Sequence, residues 1–425
     1  MKALIIGSGL IGTTSAYYLA RRGWEVTVLE RREGPGLETS FANGSLLTPS
    51  MPEPWNAPGS WRVLLASLGR ADSPLKLRLA ALPHLGRWGA AFLRNSTPER
   101  YQRNSIKNLK LALRSLEALG ELRRQTGIEY GCGTQGSLRL IRDPAALKRA
   151  IEWGEVLRAQ GLTLRALTPD EIVALEPALA PIGHELAGAI QYPFDELGNA
   201  YRFTAGLAEH ARRAGVEFRW RTPVTGLEVG SGSVTAVLSG SERLTADRYV
   251  IAAGSYSPLL LKTIGLHLPV RPAKGYSLTF EPARLDPPLK FPVCDDGFHA
   301  VVVPLDGCIR VAGTAEFAGY DLSLPESRIR NLLTLVRQVL PAAPLERARA
   351  RPWCGLRPMS ADGVPIIGPT PLGNLWVNTG HGHLGWTMAA GSGQLLSDLL
   401  TGGSPGVDPA AYALARFQGG RLKQN

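Results

Sequence analysis

A glycine cluster near the start of the chain has the residue types and spacing that bind a pyrophosphate. Gly7, Gly9 and Gly12 follow a short apolar run that ends at Ile6, and a helical pattern begins inside the cluster. Gly7 permits a tight turn, Gly9 lets a phosphate approach the backbone, and Gly12 lets the helix pack closely on the strand. The free N–H groups and the positive dipole end of that helix would then face the phosphates.

The elements around this cluster complete a β-α-β unit. The run from Ala3 to Ile6 is wholly apolar, as in a parallel strand buried on both faces, and Gly23 ends the helix. A second strand from Val26 ends at Glu30, whose carboxylate can accept hydrogen bonds from an adenosine ribose. The unit therefore predicts a dinucleotide site, with an empty structural Rossmann unit as the alternative.

Three later segments favour FAD over NAD as the dinucleotide. Small polar residues at 39–44 offer donors near a pyrophosphate, and a strand at 249–252 runs into a second close-approach turn at 253–255. The glycine-rich stretch 378–387 opens a helix that runs to Leu400. The N-terminus of such a helix can direct its dipole at the flavin N1–C2=O edge and stabilise the reduced, anionic ring.

The composition excludes several classes of protein. The 425 residues are 44% hydrophobic and 20% charged, which excludes wholesale disorder. Four scattered cysteines without a C-x-x-C pair exclude a disulfide framework and favour a reducing compartment. The net charge of +11 is spread along the chain, so a solvated basic surface is the simplest interpretation, ahead of membrane or nucleic-acid contact. No run of 18 apolar residues occurs, so no membrane-spanning helix is predicted.

Sequence blocks along nearly the whole chain resemble those of the D-amino-acid oxidase superfamily. Within that superfamily the chain is similar to the small-subunit-type bacterial D-amino acid dehydrogenases. Blocks at 274–277 (Lys-Gly-Tyr-Ser), 355–359 (Gly-Leu-Arg-Pro-Met) and 380–387 are more selective than the glycine fingerprint. Further matching blocks lie at 37–40, 55–59, 176–179 and 254–257.

The resemblance implies an α/β fold with two interleaved domains. A Rossmann-like FAD-binding domain would take residues 1–50, 185–268 and 345–425. A sheet-rich α+β substrate domain would take residues 51–184 and 269–344. The implied cofactor is FAD, and the predicted cofactor-binding residues are Gly7, Gly9, Leu10, Ile11, Gly12, Glu30, Arg31, Thr39, Ser40, Asn43, Gly44, Val224, Ala253, Gly254, Gly380, His381, Gly382, Leu384, Gly385, Trp386 and Thr387.

The same resemblance implies three residues at the substrate. Arg357 matches the arginine whose planar fork binds a substrate carboxylate, with a salt bridge inside the protein as the alternative. Tyr276 matches a tyrosine whose hydroxyl bonds that carboxylate or forms part of a lid, with a half-buried sheet tyrosine as the alternative. His299 is expected to line the substrate site, although its surroundings differ from the family pattern.

Two other groups carry weaker signals. His381 and His383 form an H-x-H pair without further ligands nearby, so no metal is predicted, and His383 departs from the small hydroxyl residue usual in the family. Asn199 stands where an acid is expected. Cys354 could tether a flavin, but a small packed residue is the preferred interpretation.

The implied activity is oxidative deamination of a D-amino acid to a 2-oxo acid and ammonia, with hydride transfer from Cα to flavin N5. Electrons would pass to a quinone or another respiratory-chain acceptor. The protein would lie on the cytoplasmic side, in peripheral contact with the inner membrane, without a nucleic-acid partner. The alternatives are a related amine oxidoreductase acting on glycine, D-hydroxyproline, opines or N-methylated amino acids, a tRNA-modifying flavoprotein, and a non-catalytic dinucleotide-binding module.

Overall fold

The structure is a computed structural model that describes residues 1–60, 62, 75–78, 81–281, 285–297 and 300–417. The helices of these residues are α1 (Leu10–Arg21), α2 (Leu82–Arg94), α3 (Pro98–Thr126), α4 (Pro144–Arg158), α5 (Pro169–Leu175), α6 (Ala200–Arg213), α7 (Ser257–Lys262), α8 (Glu326–Val339) and α9 (Ala389–Thr401). The strands are β1 (Lys2–Ile6), β2 (Glu25–Leu29), β3 (Leu46–Leu47), β4 (Leu75–Leu77), β5 (Ser137–Ile141), β6 (Arg165–Leu167), β7 (Gly188–Tyr192), β8 (Glu196–Leu197), β9 (Glu217–Arg219), β10 (Gly226–Gly230), β11 (Ser233–Ser239), β12 (Glu242–Leu244), β13 (Arg248–Ile251), β14 (Val270–Phe280), β15 (Val293–Asp295), β16 (Ala300–Leu305), β17 (Cys308–Phe317), β18 (Ala350–Ser360), β19 (Ile366–Pro369) and β20 (Leu375–Thr379).

Within the described ranges, a six-stranded sheet places the first strands of the chain at its centre. Its order is β19-β20-β13-β1-β2-β9, and every pair is parallel except β19 with β20. Ala3, Leu4 and Ile5 of β1 are no more than 1% exposed, because helices and loops cover both faces of the strand. The predicted β1-α1-β2 unit and the α/β class of the fold are confirmed.

A larger mixed sheet stands beside the first. Its strand order is β18-β14-β17-β16-β15-β5-β7-β6, and β4 pairs with the far end of β17. The long strands β14, β17 and β18 pair antiparallel, with a register shift between Gly275 and Tyr276. Helix α8 packs on this sheet, and the core between them contains Leu332, Val336 and Leu278.

Four helices pack together next to the six-stranded sheet. Helix α1 packs against α6 and α9, and α9 packs against α3. Sequence signals mark both ends of α3: Thr97 caps it by accepting a hydrogen bond from the Arg100 N–H, and Gly127 ends it at φ +64°. Asn199, found where an acid was expected, caps α6 by accepting from the N–H groups of Tyr201 and Arg202.

The predicted domain bounds remain a prediction, and two strands bear on where they should be drawn. Strands β7 and β18 fall inside the ranges assigned to the FAD-binding domain, 185–268 and 345–425, yet both pair in the larger mixed sheet.

Helix α9 begins at Ala389, later than the glycine-rich stretch, part of which forms a 3-10 turn at Gly382–Leu384. Among the helices that the structure describes, none combines the length and the apolar character that crossing a membrane requires.

Candidate active site

The glycine turn between β1 and α1 has no room for side chains. Gly7 has φ +103°, and a Cβ there would lie 2.7 Å from the carbonyl oxygen of Ala252 on the neighbouring strand. A Cβ on Gly12 would overlap the carbonyl oxygen of Gly7. The first turn of α1 therefore packs directly on the turn, and its residues Leu10 and Ile11 line the cavities described below.

Glu30 at the end of β2 is 8% exposed and fixes this turn from the other side. Its Oε2 accepts hydrogen bonds from both the backbone N–H and the hydroxyl of Ser8, each at 2.9 Å, and its Oε1 accepts from the Arg32 N–H at 2.9 Å. The carboxylate thus connects the glycine turn to the segment after β2. Its oxygens can still accept further hydrogen bonds at the cavity wall.

Replacing Glu30 with alanine is expected to raise the dissociation constant for FAD on the order of tenfold. The variant loses an acceptor at the cavity wall and leaves the buried Ser8 N–H without its partner, at a cost of about 1–3 kcal/mol. Fluorescence titration of the apoprotein with FAD measures the change. Glu33→Ala, an exposed acid three residues further along the chain, serves as the control and should bind FAD as the wild type does.

Two adjacent cavities open next to the glycine turn. The first has a volume of about 420 Å³ and the second about 270 Å³. Both are lined by six shared residues, Leu10, Ile11, Thr39, Ser40, Ala252 and Gly254. Because of these shared walls the pair forms one elongated site, which runs from the end of β2 to the larger mixed sheet.

Most of the predicted cofactor-binding residues line this site. Besides the shared residues, the first cavity is lined by Gly7, Gly9, Glu30, Arg31, Val224 and Ala253, and the second by Asn43, Gly44, His381, Gly382, Gly385 and Trp386. Four predicted residues support the walls without lining them, namely Gly12, Gly380, Leu384 and Thr387. Thr387, for example, accepts a hydrogen bond from the Thr48 N–H at 3.0 Å.

The elongated shape, the glycine turn at a helix N-terminus and the acid at the end of β2 together fit FAD. The outer rim of the first cavity adds Arg31, whose guanidinium carbon lies 3.8 Å from the centroid of the Tyr256 ring and whose Nη2 donates to Glu38 at 2.6 Å. The residues at this end would hold the adenosine part of FAD.

Arg357 reaches the second cavity from β18. Alternate residues of this strand, Trp353, Gly355 and Arg357, line the cavity. Cys354 lies between them, and its thiol donates to the carbonyl of Leu322 at 3.2 Å, so it packs away from the site. A Cβ on Gly275 of the paired strand would overlap the Arg357 guanidinium, so the absence of a side chain there makes room for it.

The guanidinium of Arg357 has no carboxylate within ion-pair distance among the described residues. Burial lowers its pKa to about 10, which still leaves the group charged at neutral pH. Its carbon lies 5.4 Å from the centroid of the Trp55 ring. A partly buried, charged fork without a counter-ion, facing a cavity, is a receptor for a carboxylate.

The rest of the described lining of the second cavity carries no other charge. Burial lowers the pKa of His381 to about 3, and burial and the nearby Arg357 lower that of His383 to about 4, so both imidazoles are neutral at pH 7. His383 stacks on Trp55 with the ring centroids 5.8 Å apart. No group of three His, Cys, Asp or Glu side chains in the described part of the chain is placed to hold a metal ion.

Tyr276 contributes to the lining of the second cavity, but its hydroxyl is engaged elsewhere. It donates to Glu316 Oε1 at 2.7 Å, inside a buried cluster of charges. The ammonium of Lys274 lies 3.2 Å from the same oxygen, and Arg78 donates to it at 2.8 Å. In this geometry the hydroxyl therefore does not supply the predicted hydrogen bond to a substrate carboxylate. His299 lies outside the described residues.

Several residues that line the second cavity were not predicted individually. Trp353 could have been found from the period-two alternation of β18, because it lies on the same strand face as Arg357. Val301, Ala312 and Gly313 come from strands without chemically distinctive residues, and only the pairing of β16 with β17 brings them to the cavity.

Comparison with known proteins agrees with these features. A family model described as FAD dependent oxidoreductase matches residues 2–399. The D-amino acid dehydrogenase of Paramagnetospirillum magneticum is 44% identical over 418 residues, which cover 98% of this chain and 99% of that protein. The D-amino acid dehydrogenase of Chromohalobacter salexigens is 42% identical over 418 residues, which cover 98% of this chain and 100% of that protein.

Solved structures give the same architecture. The glycine oxidase of Geobacillus kaustophilus is similar with a TM-score of 0.76 and 25% identity, covering 97% of this chain and 98% of the other. The L-proline dehydrogenase of P. horikoshii has a TM-score of 0.77 at 20% identity and covers 99% of each chain. The second likeness bears on the fold alone.

Proposed function

The chain belongs to the family of FAD-dependent oxidoreductases, and from that membership we propose that it oxidises D-amino acids to 2-oxo acids and ammonia. The family confirms the resemblance in the sequence and FAD as the cofactor. The amino acid substrate is carried over from relatives 42–44% identical to this chain, which are named D-amino acid dehydrogenases.

The observation that carries the proposal is the unpaired guanidinium of Arg357 in the second cavity. A partly buried charge without a counter-ion is poorly solvated, and a bound carboxylate compensates for this through two parallel N–H···O bonds. This contact fixes the carboxylate end of an amino acid and so positions its Cα. When bound, FAD supplies an acceptor for the hydride that leaves Cα.

The other walls of the second cavity orient the rest of the substrate and exclude water. The stacked Trp55 and His383 rings form one wall, and the small residues Ala42, Gly44 and Ala312 contribute to the surface away from them. The described lining offers no carboxylate that could act as a base, so the substrate ammonium group is expected to lose its proton to solvent.

We further propose a quinone or another respiratory-chain acceptor for the electrons, and contact of the protein with the cytoplasmic face of the inner membrane. The net charge of +11 supports such contact, because anionic lipid head groups attract a basic surface.

An absorbance scan of the purified protein before and after anaerobic addition of amino acids tests the activity. The flavin band in the visible range is expected to bleach with D-alanine or another D-isomer and to persist with the matching L-isomer. Slow recovery of the band in air would indicate a dehydrogenase rather than an oxidase. A flavin band that no D-isomer bleaches, but that glycine or an N-methylated amino acid does, would replace the proposal with the related amine oxidoreductase.

A further inference from the structure

A second arginine without a carboxylate within ion-pair distance, this one buried, lies behind the cavity wall. Arg310 on β17 is 7% exposed, its Nη1 donates to the Ser45 hydroxyl at 2.8 Å, and its Nε donates to the Thr279 hydroxyl at 3.1 Å. Both acceptors are neutral, and no carboxylate among the described residues lies within ion-pair distance of this guanidinium. Burial lowers its pKa below the ordinary arginine value.

The sheet register places Arg310 next to the second cavity. Ala312, two residues along β17, is on the same face of the sheet and lines the cavity. Its register partners Ser277 and Val301 also line the cavity. Two residues of a strand span about 7 Å, so the β17 backbone at Arg310 lies close to the cavity wall.

Arg310 also holds a strained turn that forms part of that wall. Ser45 is fully buried and has φ +57°, a conformation that costs a non-glycine residue on the order of 1 kcal/mol or more. Three hydrogen bonds maintain it: the Ser45 N–H donates to Asn43 Oδ1 at 3.0 Å, its carbonyl accepts from the Gly198 N–H at 2.9 Å, and its hydroxyl accepts from Arg310. Asn43 and Gly44, just before it, line the second cavity.

The charge of Arg310 is not needed for these contacts. Two neutral hydroxyls could be satisfied by an uncharged amide such as glutamine, without the cost of burying a cation that has no carboxylate within ion-pair distance. A positive charge beside the second cavity would, however, favour any negative charge that develops there. A flavin gains negative charge when it is reduced.

We propose that Arg310 is a positioning residue that holds the 43–45 turn in place and whose positive charge raises the reduction potential of FAD bound in the second cavity. The proposal deepens the proposed function only in that it requires FAD to bind there. It does not depend on which amino acid is oxidised.

The test uses the full chain loaded with FAD and measures the midpoint potential by equilibration with redox dyes. Arg310→Gln is expected to shift the potential to a more negative value and to weaken sulfite binding to the flavin on the order of tenfold. Arg310→Lys keeps the charge and is expected to retain a potential close to that of the wild type. Arg212→Gln removes an exposed arginine of α6 and is the control for loss of one positive charge at a distance. A wild-type potential in Arg310→Gln would overturn the proposal.

The Ser45→Ala variant distinguishes the effect of the Arg310 charge from the effect of its hydrogen bond to the 43–45 turn. It removes the acceptor on the turn and leaves Arg310 in place, so FAD is expected to dissociate faster while the potential stays near that of the wild type. An equal potential shift in Ser45→Ala and Arg310→Gln would contradict the role of the charge. Should Arg310→Gln fail to retain FAD, a lowered potential in Arg310→Lys would overturn the proposal.

These readouts distinguish the inference from the proposed function. The reduction potential is measured without an amino acid. If the chain binds FAD but D-amino acids do not bleach the flavin, the proposed substrate is wrong, and the potential of Arg310→Gln still tests the role of Arg310. Failure of the wild-type chain to bind FAD would overturn both.

Discussion

Replacing Arg357 with methionine is expected to lower kcat/KM for D-alanine by about two orders of magnitude. The substrate carboxylate would enter a cavity whose described lining holds no other charge, and the loss of a buried, charge-assisted pair costs on the order of 3 kcal/mol. Steady-state kinetics with an artificial electron acceptor measures the change. Arg357→Lys is expected to be intermediate, because it keeps the charge but loses the planar fork.

The same strand supplies a matched control for this variant. Arg351 lies six residues earlier on β18 and is exposed, so Arg351→Met should leave kcat/KM unchanged. The melting temperature of Arg357→Met should not fall, because the substitution removes a partly buried charge that has no counter-ion within ion-pair distance. Unchanged kinetics in Arg357→Met would remove this residue from substrate binding.

Replacing Glu316 with leucine is expected to lower the free energy of unfolding by about 3–5 kcal/mol. The carboxylate is 1% exposed. Its oxygens lie 3.2 Å from Lys274 Nζ and 3.7 Å from Arg328 Nε, and the side chains of these two cations are 0% and 1% exposed. Although burial opposes ionisation, the hydrogen bond from Tyr276 and the charge of Lys274 hold the pKa of Glu316 below its usual value. The variant would therefore remove the buried carboxylate that Lys274 and Arg328 share, and among the described carboxylates Lys274 would keep only Asp321 at 3.4 Å.

Denaturant titration measures this loss, and an exposed ion pair is the comparison. Glu228 pairs with Arg243 on the three-stranded sheet β10-β11-β12, where both side chains reach solvent, so Glu228→Leu should change stability little. A Glu316→Leu protein as stable as the wild type would contradict the structural role of the buried cluster.

Signals between near neighbours in the sequence predicted much of the fold. The β1-α1-β2 unit was readable because its apolar runs, glycines and terminal acid fall within the first thirty residues, and α3 was readable from its Thr-Pro start and glycine end. The predicted start of the last helix was early, because the glycine-rich stretch before α9 forms a 3-10 turn and loop instead.

Contacts between distant residues could not be predicted in this way. The resemblance placed Tyr276 near the substrate, but its hydroxyl donates to Glu316, 40 residues further along the chain. Arg310 meets Ser45 across 265 residues. Neither pair leaves a local sequence pattern, because the pairing of β14 with β17 and the path of the 43–45 turn create both contacts.

Strand β1 can pair with β2 early in synthesis, but it must wait much longer for β13, its neighbour on the other side. Strand β1 pairs with β13, and the Lys2 N–H donates to Asp247, 245 residues later. At roughly 5–20 residues per second, a ribosome needs about 10–50 s to produce that interval. The Ala252 backbone that packs on Gly7 follows β13, and α9, which packs on α1, is made later still. Cofactor loading is therefore expected to follow the end of translation, and the nascent N-terminal unit depends until then on chaperones or on its own local stability.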